Sequence, residues 1–81
     1  MARFYFHLRI GSELVTDDEG SDLSGLDAAK HAAAQSAREL LSNAIRSERD
    51  DSPDAVVIAD GEGCELASIA LADIIPGKYR T

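Results

Sequence analysis

The stretch "ARFYFHLRI" at residues 2–10 decides the fold of this chain. Apolar side chains take every second position from Phe4 to Ile10, a period of two that is typical of a strand with one buried face. The positions between them hold the other set: Arg3, Tyr5, His7 and Arg9. Two interpretations of this second set are open, since it either binds a ligand such as nucleic acid or forms the reverse side of a strand whose other side is core.

Two hairpins are predicted from turn residues. Gly11-Ser12 is a two-residue break that leads into a returning strand at residues 13–16. The acidic stretch "DDEG" at residues 17–20 ends that strand, because Gly20 can take the positive φ that such a turn needs. A second hairpin is predicted from strands at residues 55–59 and 64–71, joined by the turn "DGEG".

One long helix is predicted between the hairpins, at residues 26–49. This stretch contains no proline and no glycine, and alanine, the best helix former, dominates its first half. Pro53 stops the helix, because the residue before a proline disfavours helical geometry. The apolar face follows three-four spacing through Leu26, Ala29, Ala33, Ala37, Leu40, Leu41 and Ala44, with Ile45 at its edge.

These elements predict a single α+β domain over residues 1–75. Two hairpins cannot bury their apolar faces alone, so we expect a two-layer ββαββ fold: a four-stranded antiparallel sheet with one long helix packed on one face. Phe4 and Phe6 would then meet the helix. Residues 76–81 are expected to be a flexible C-terminal tail.

Composition places the chain among soluble globular domains. Its 81 residues are 44% hydrophobic and 28% charged. We expect neither a signal peptide nor a transmembrane helix, because no long apolar run occurs. The single cysteine, Cys64, cannot form an internal disulfide, which fits a reducing compartment, and we predict a cytoplasmic location.

The net charge of −7 argues against binding a phosphate backbone. Although Arg3 and Arg9 make the first strand basic, residues 11–23 carry five acidic side chains. We therefore expect no nucleic-acid partner, unless the few cations on the face of Arg3, Tyr5, His7 and Arg9 act together.

No motif for catalysis or cofactor binding is present. The acidic turns at residues 17–20 and 60–63 lack the ligand spacing of an EF-hand loop. His7, His31 and Cys64 are not spaced as zinc ligands or as a nucleophile with its base. Hence we predict no enzyme activity, no catalytic, metal-binding or cofactor-binding residue, and no cofactor.

Two features predict a homodimer. The 24-residue helix spans about 36 Å, whereas an eight-residue strand spans only about 26 Å. The hairpin at residues 55–71 also has apolar residues at both parities, although an exposed sheet face is ordinarily polar. We expect a second copy to cover part of this surface, with Leu40, Leu41, Ile45 and Val57 as the interaction residues.

Four segments carry a resemblance to a known family: "RFYFHLRIG" (3–11), "DDEGSDLSGLDAAKHAA" (17–33), "ARELL" (37–41) and "VVIADGEGCELASI" (56–69). Together they resemble an uncharacterised family of short, mostly alphaproteobacterial proteins that is catalogued as a domain of unknown function. The resemblance covers about residues 3–71. It implies a fold and a size, and it brings no catalytic or binding residues.

A fainter similarity is to HicB-type antitoxins, which also pair a short β-sheet with an alanine-rich helix after an acidic turn. Those proteins add a third strand before the helix and a DNA-binding segment, and neither is predicted here.

The function predicted from the sequence is a small, non-enzymatic protein–protein interaction or regulatory module that acts as a homodimer. Two alternatives stay open. One is nucleic-acid or small-ligand binding through Arg3, Tyr5, His7 and Arg9. The other is an antitoxin-like regulator.

Overall fold

The computed structural model describes residues 2–47 and 53–75. The elements are β1 (Ala2–Ile10), β2 (Glu13–Val15), β3 (Ser21–Leu23), α1 (Leu26–Ser47), β4 (Ala55–Ala59), β5 (Glu65–Ala70) and a 3₁₀ turn (Leu71–Asp73). The predicted α+β class, with one long helix on an antiparallel sheet, is confirmed. The expected tail at residues 76–81 and the expected helix end at residue 49 lie outside the described residues.

The sheet is built around β1 and β4, which lie side by side in the order β2-β1-β4-β5. Every neighbouring pair is antiparallel. β2 pairs with one end of β1, where Leu8 faces Val15, and β3 pairs with the other end, where Phe4 faces Ser21. β2 and β3 therefore form one interrupted edge along β1. The residues between them, 16–20, are called the bulge loop below.

Strand β3 is the element that the sequence analysis missed, so the observed order is βββαββ. Ser21–Leu23 is three residues long, contains one apolar side chain and follows directly on an acidic turn. Such a segment has no period of two to detect. It becomes a strand because β1 is long enough to offer it unpaired backbone groups.

The core lies between the helix and one face of the sheet. Ala29, Ala33 and Ala37 are fully buried along α1, and each recurs one turn after the last. From the sheet, Phe4 and the fully buried Val56 and Ile58 meet them. Because an alanine side chain is a single methyl group, α1 lies close against the strands. Phe6, Leu8, Leu23, Leu40, Leu41 and Ile69 are half-buried around this centre.

A larger side chain on the alanine face should force the helix away from the sheet. We expect Ala33→Leu to lower the free energy of unfolding by about 1–3 kcal/mol, since it overpacks a filled core. Gln35→Leu, at an exposed position of the same helix, should change it by less than about 0.5 kcal/mol. Urea denaturation at one fixed protein concentration measures both, and equal effects would contradict the close helix–sheet contact.

Candidate functional site

The side chains of Arg3, Tyr5, His7 and Arg9 lie on the sheet face turned away from α1, called the outer face below. Their alternate neighbours Phe4, Phe6 and Leu8 belong to the core beneath the helix. This answers the question that the first strand raises about its two sides. The outer face is the reverse of a core strand.

The side chain of Arg3 makes its polar contacts within the chain. Its guanidinium forms a two-point ion pair with the carboxylate of Asp22 on β3, with both N···O distances at 3.2 Å. The Nη1 group of the same guanidinium donates a hydrogen bond to the backbone carbonyl of Glu19. Arg3 thus joins β1 to the bulge loop and to β3, which is a structural role.

The ring of His7 is also hydrogen-bonded to the bulge loop. Its Nδ1 accepts a hydrogen bond of 2.9 Å from the backbone N–H of Asp17, so that nitrogen carries no proton in this arrangement. Its ring stacks on Tyr5, with 6.4 Å between the ring centroids. Of the four outer-face residues, Arg9 is the exposed one with no part in the bulge loop.

The carboxylate of Asp17 takes the place of a missing strand beside β1. Its Oδ2 accepts the N–H of Phe6 at 3.2 Å, a group that would pair with a neighbouring strand if the edge were continuous. Its Oδ1 accepts the N–H groups of Glu19 at 3.1 Å and Gly20 at 3.2 Å. One side chain therefore satisfies three backbone donors where the ladder is interrupted.

This environment shifts the titration of Asp17. Partial burial acts to raise the pKa of its carboxyl group, but the hydrogen bonds from the backbone N–H groups of Phe6, Gly20 and Glu19 outweigh that effect. The net result is a pKa below the ordinary 3.8. The ionised carboxylate consequently stabilises the folded chain at neutral pH.

Gly20 allows the bulge loop to close tightly over β1. Its φ is +71°, in the left-handed region. A Cβ at this position would stand 2.9 Å from Cε1 of Tyr5 and 3.0 Å from the backbone oxygen of Phe4. Both the backbone angle and the close approach therefore require glycine.

The four residues predicted for protein contact differ in their exposure. Leu40 and Leu41 are half-buried and pack against the core, while Ile45 is 70% exposed. Val57 is only 3% exposed, between its register partners His7 and Ser68, and so has almost no surface for a partner. Around the helix axis Leu40 and Ile45 are about 140° apart, on opposite flanks of α1.

Each flank of the helix has its own apolar surface. A helix is about 10 Å wide and strands lie about 4.8 Å apart, so one helix covers about two strands of a sheet four strands wide. On the β1 side this leaves a groove of about 280 Å³. It is lined by Phe6, Leu8 and Val56 from the sheet and by Ser36, Leu40 and Asn43 from the helix. On the other flank lies Ile45.

Three side chains that could bind a metal ion come together at the turn before β5. The carboxylate oxygens of Asp60 and Glu62 and the sulfur of Cys64 lie within 4.8 Å of one another, and Glu62 and Cys64 are exposed. Asp60 Oδ1 already accepts the N–H groups of Glu62 and Cys64, both at 2.9 Å. These bonds explain the cluster as the closure of a hairpin turn. His31 is exposed on α1 and does not belong to it.

The acidic network of the bulge loop makes stability depend on Asp17. We expect Asp17→Asn to lower the free energy of unfolding by about 1–3 kcal/mol at pH 7, because an amide has one acceptor oxygen where the carboxylate has two. Since the folded pKa lies below 3.8, the difference from wild type should be complete above that pH and vanish as pH falls through the folded pKa.

The neighbouring carboxylate is the control for this comparison. Asp18 is exposed, and Asp18→Asn removes the same charge one residue along the chain. It should leave stability within about 0.5 kcal/mol of wild type. Denaturation curves from pH 2 to 7 test both variants, and a loss that is independent of pH would count against the role of the carboxylate.

The two positive-φ glycines of the first hairpin and the bulge loop form a matched pair. Gly11→Ala meets no atom within 4 Å and should cost only the left-handed backbone penalty, about 1 kcal/mol. Gly20→Ala adds contacts with Tyr5 and Phe4 and should cost at least about 1 kcal/mol more. Thermal unfolding of the two variants measures the difference, and an equal cost would mean that the loop is not closed over β1.

Comparison with known proteins identifies a family for this chain. No helix among the described residues has the length together with the apolar composition that crossing a bilayer requires. Neither the curated proteins nor the solved structures contain a match to the chain. The family described as "Domain of unknown function (DUF6894)" matches residues 3–72. The chain is a member of this DUF6894 family.

Proposed function

We propose that this chain is a non-enzymatic protein–protein interaction module and that it works as a homodimer. The observation that carries the proposal is the incomplete cover that one helix gives to this sheet. Among the described residues the large apolar side chains left exposed are Leu14, Val15, Ile45 and Leu66, each between 41% and 70%. For a domain of 81 residues with a small core, covering them with protein adds substantially to stability.

The chemistry of the polar groups supports the same conclusion. The side chains most suited to a ligand already make contacts within the chain. Arg3 forms an ion pair with Asp22 and donates to the carbonyl of Glu19, and His7 accepts the backbone N–H of Asp17. The turn at Asp60 is closed by its own hydrogen bonds. These internal contacts leave the exposed apolar side chains as the better-supported surface for a partner.

Nucleic-acid binding through the outer face has weaker support. Only Arg9 is a cation of that face with no part in the bulge loop, and the chain as a whole carries −7. A single arginine on an acidic domain does not make the basic stripe that a phosphate backbone needs. An antitoxin-like role gains one feature, because β3 is a third strand before the helix. The elements of the described residues are otherwise the sheet, α1 and a 3₁₀ turn, which leaves no separate DNA-binding segment among them.

Sedimentation equilibrium at micromolar concentration tests the proposal. We expect a species of twice the 8.6 kDa chain mass. Because each copy carries −7, added salt should screen the repulsion between copies and strengthen the dimer. Binding to a single-stranded oligonucleotide would weaken with salt instead. A clean 8.6 kDa species at every salt concentration would overturn the proposal.

A further inference from the structure

The half of the sheet that α1 leaves uncovered lies over β1 and β2, since α1 packs on β4 and β5. Beside the second half of α1, the groove described above has a floor of Phe6 and Leu8 and a wall that includes Leu40. Val15 continues this floor onto β2, because it is the register partner of Leu8 and paired residues share a face of the sheet. Val15 is 48% exposed. An apolar strip beside α1 is therefore partly open to solvent.

The dimensions of this strip match those of a second helix. Strands lie about 4.8 Å apart, so the midline of β1 and β2 is two strand spacings, about 10 Å, from the midline of β4 and β5. The axes of packed helices lie about 8–10 Å apart. The open apolar surface is also on the face of the sheet, where helices pack, and not at its edge, where a strand would add. A helix laid over β1 and β2 would contact the sheet and α1 together.

The charges that border the groove are acidic. Among the described residues that line it, Glu39 carries the charge. On the far side, Glu13 is the exposed register partner of Ile10, two residues beyond Leu8, so it lies on the face of the groove floor. Residues 17–19 of the bulge loop, all acidic, follow along the same edge of β1. Negative charge thus stands on both sides of the apolar strip.

The cations in this part of α1 lie away from the groove. In residues 36–47 they are Arg38 and Arg46. Arg46 donates to the hydroxyl of Ser42 at 3.1 Å, which holds its guanidinium beside that residue. Arg38 and Ser42 each lie about 160° around the helix axis from Leu40, on the crest of α1. The acidic character of the groove is therefore not cancelled at its floor.

We propose that the groove between α1 and β1 binds a basic amphipathic helix of another protein. This goes beyond the proposed homodimer, because it gives the domain a partner of different chemistry. The apolar face of that helix lies on Phe6, Leu8 and Val15, and its lysine or arginine side chains meet Glu39 on one side and Glu13 on the other. The net charge of −7 attracts such a partner from a distance.

A second copy of the chain fits the groove less well. Its long helix already buries Ala29, Ala33 and Ala37 against its own sheet, so the described residues offer no free amphipathic helix. Its charge of −7 also has the same sign as the rim of the groove. Shape and charge together select a cationic helix from elsewhere.

A labelled peptide of leucine and lysine is the probe for this groove. It is about 14 residues long, about 21 Å as a helix, with leucines at three-four spacing and lysines elsewhere. We expect micromolar protein to raise its fluorescence anisotropy, and the binding to weaken as salt is added. A peptide of the same composition in scrambled order has no apolar face and should bind at least tenfold more weakly. A peptide with glutamate in place of lysine should not bind.

Two pairs of substitutions locate the bound peptide. Glu39→Lys reverses a charge in the groove, and Glu65→Lys makes the same change on exposed β5 at the opposite edge of the sheet. Val15→Ser removes part of the apolar floor, and Leu66→Ser is its control on β5, where Leu66 is 41% exposed. We expect the dissociation constant of the peptide to rise at least tenfold for Glu39→Lys, at least threefold for Val15→Ser, and less than twofold for the controls.

The outcomes separate this inference from the proposed function. A wild-type chain that does not bind the peptide, or that binds the scrambled peptide equally, overturns the groove site and leaves the homodimer standing. Equal weakening by a groove variant and its control does the same. A monomeric chain that binds the peptide overturns the homodimer alone.

Sedimentation equilibrium of the same variants tests the other occupant. If Glu39→Lys or Val15→Ser changes the dissociation constant of the dimer and not that of the peptide, a second copy lies in the groove and the inference is wrong. Circular dichroism shows whether each variant is folded, and Val15→Thr replaces Val15→Ser if the latter is not.

Discussion

The contact between the alanine face of α1 and the strands β1 and β4 is the interaction on which the rest of this structure depends. Ala29, Ala33 and Ala37 lie against Phe4, Val56 and Ile58 with no exposed surface on the alanines. Their methyl groups let the helix sit low on the sheet, and its position over β4 and β5 then leaves uncovered the half that lies toward β2. The apolar surfaces that we assign to protein contact follow from that placement.

The second constraint is the length of β1. Nine residues long, it passes β2 at one end and β3 at the other, and neither is long enough to reach its middle. The N–H of Phe6 would be unpaired there without the carboxylate of Asp17. The carboxylate of Asp17 in this acidic loop thus replaces the missing strand pairing at Phe6.

This repair makes the two sides of the sheet different. The side beside β1 is closed by a side chain, an ion pair and a tight glycine, whereas the pairing of β4 with β5 shifts register between Ile58 and Ala59. A bulge of this kind twists an edge strand and blunts it against pairing with another chain.

The sequence alone determined the class of fold, because its signals are local and periodic. The alternation from Phe4 to Ile10 and the alanine spacing from Ala29 to Ala37 each select a buried face without reference to the rest of the chain. The tertiary structure decided what lies beside those faces. β3 exists because β1 pairs with it, Asp17 is a backbone acceptor because Phe6 lies within 3.2 Å, and Val57 is buried although its strand pattern suggested a surface. Leu40 and Ile45 are close in sequence, but they lie on opposite flanks of α1 because they are about 140° apart around the helix axis. Contacts between residues distant in the chain set these outcomes, and no local pattern records them.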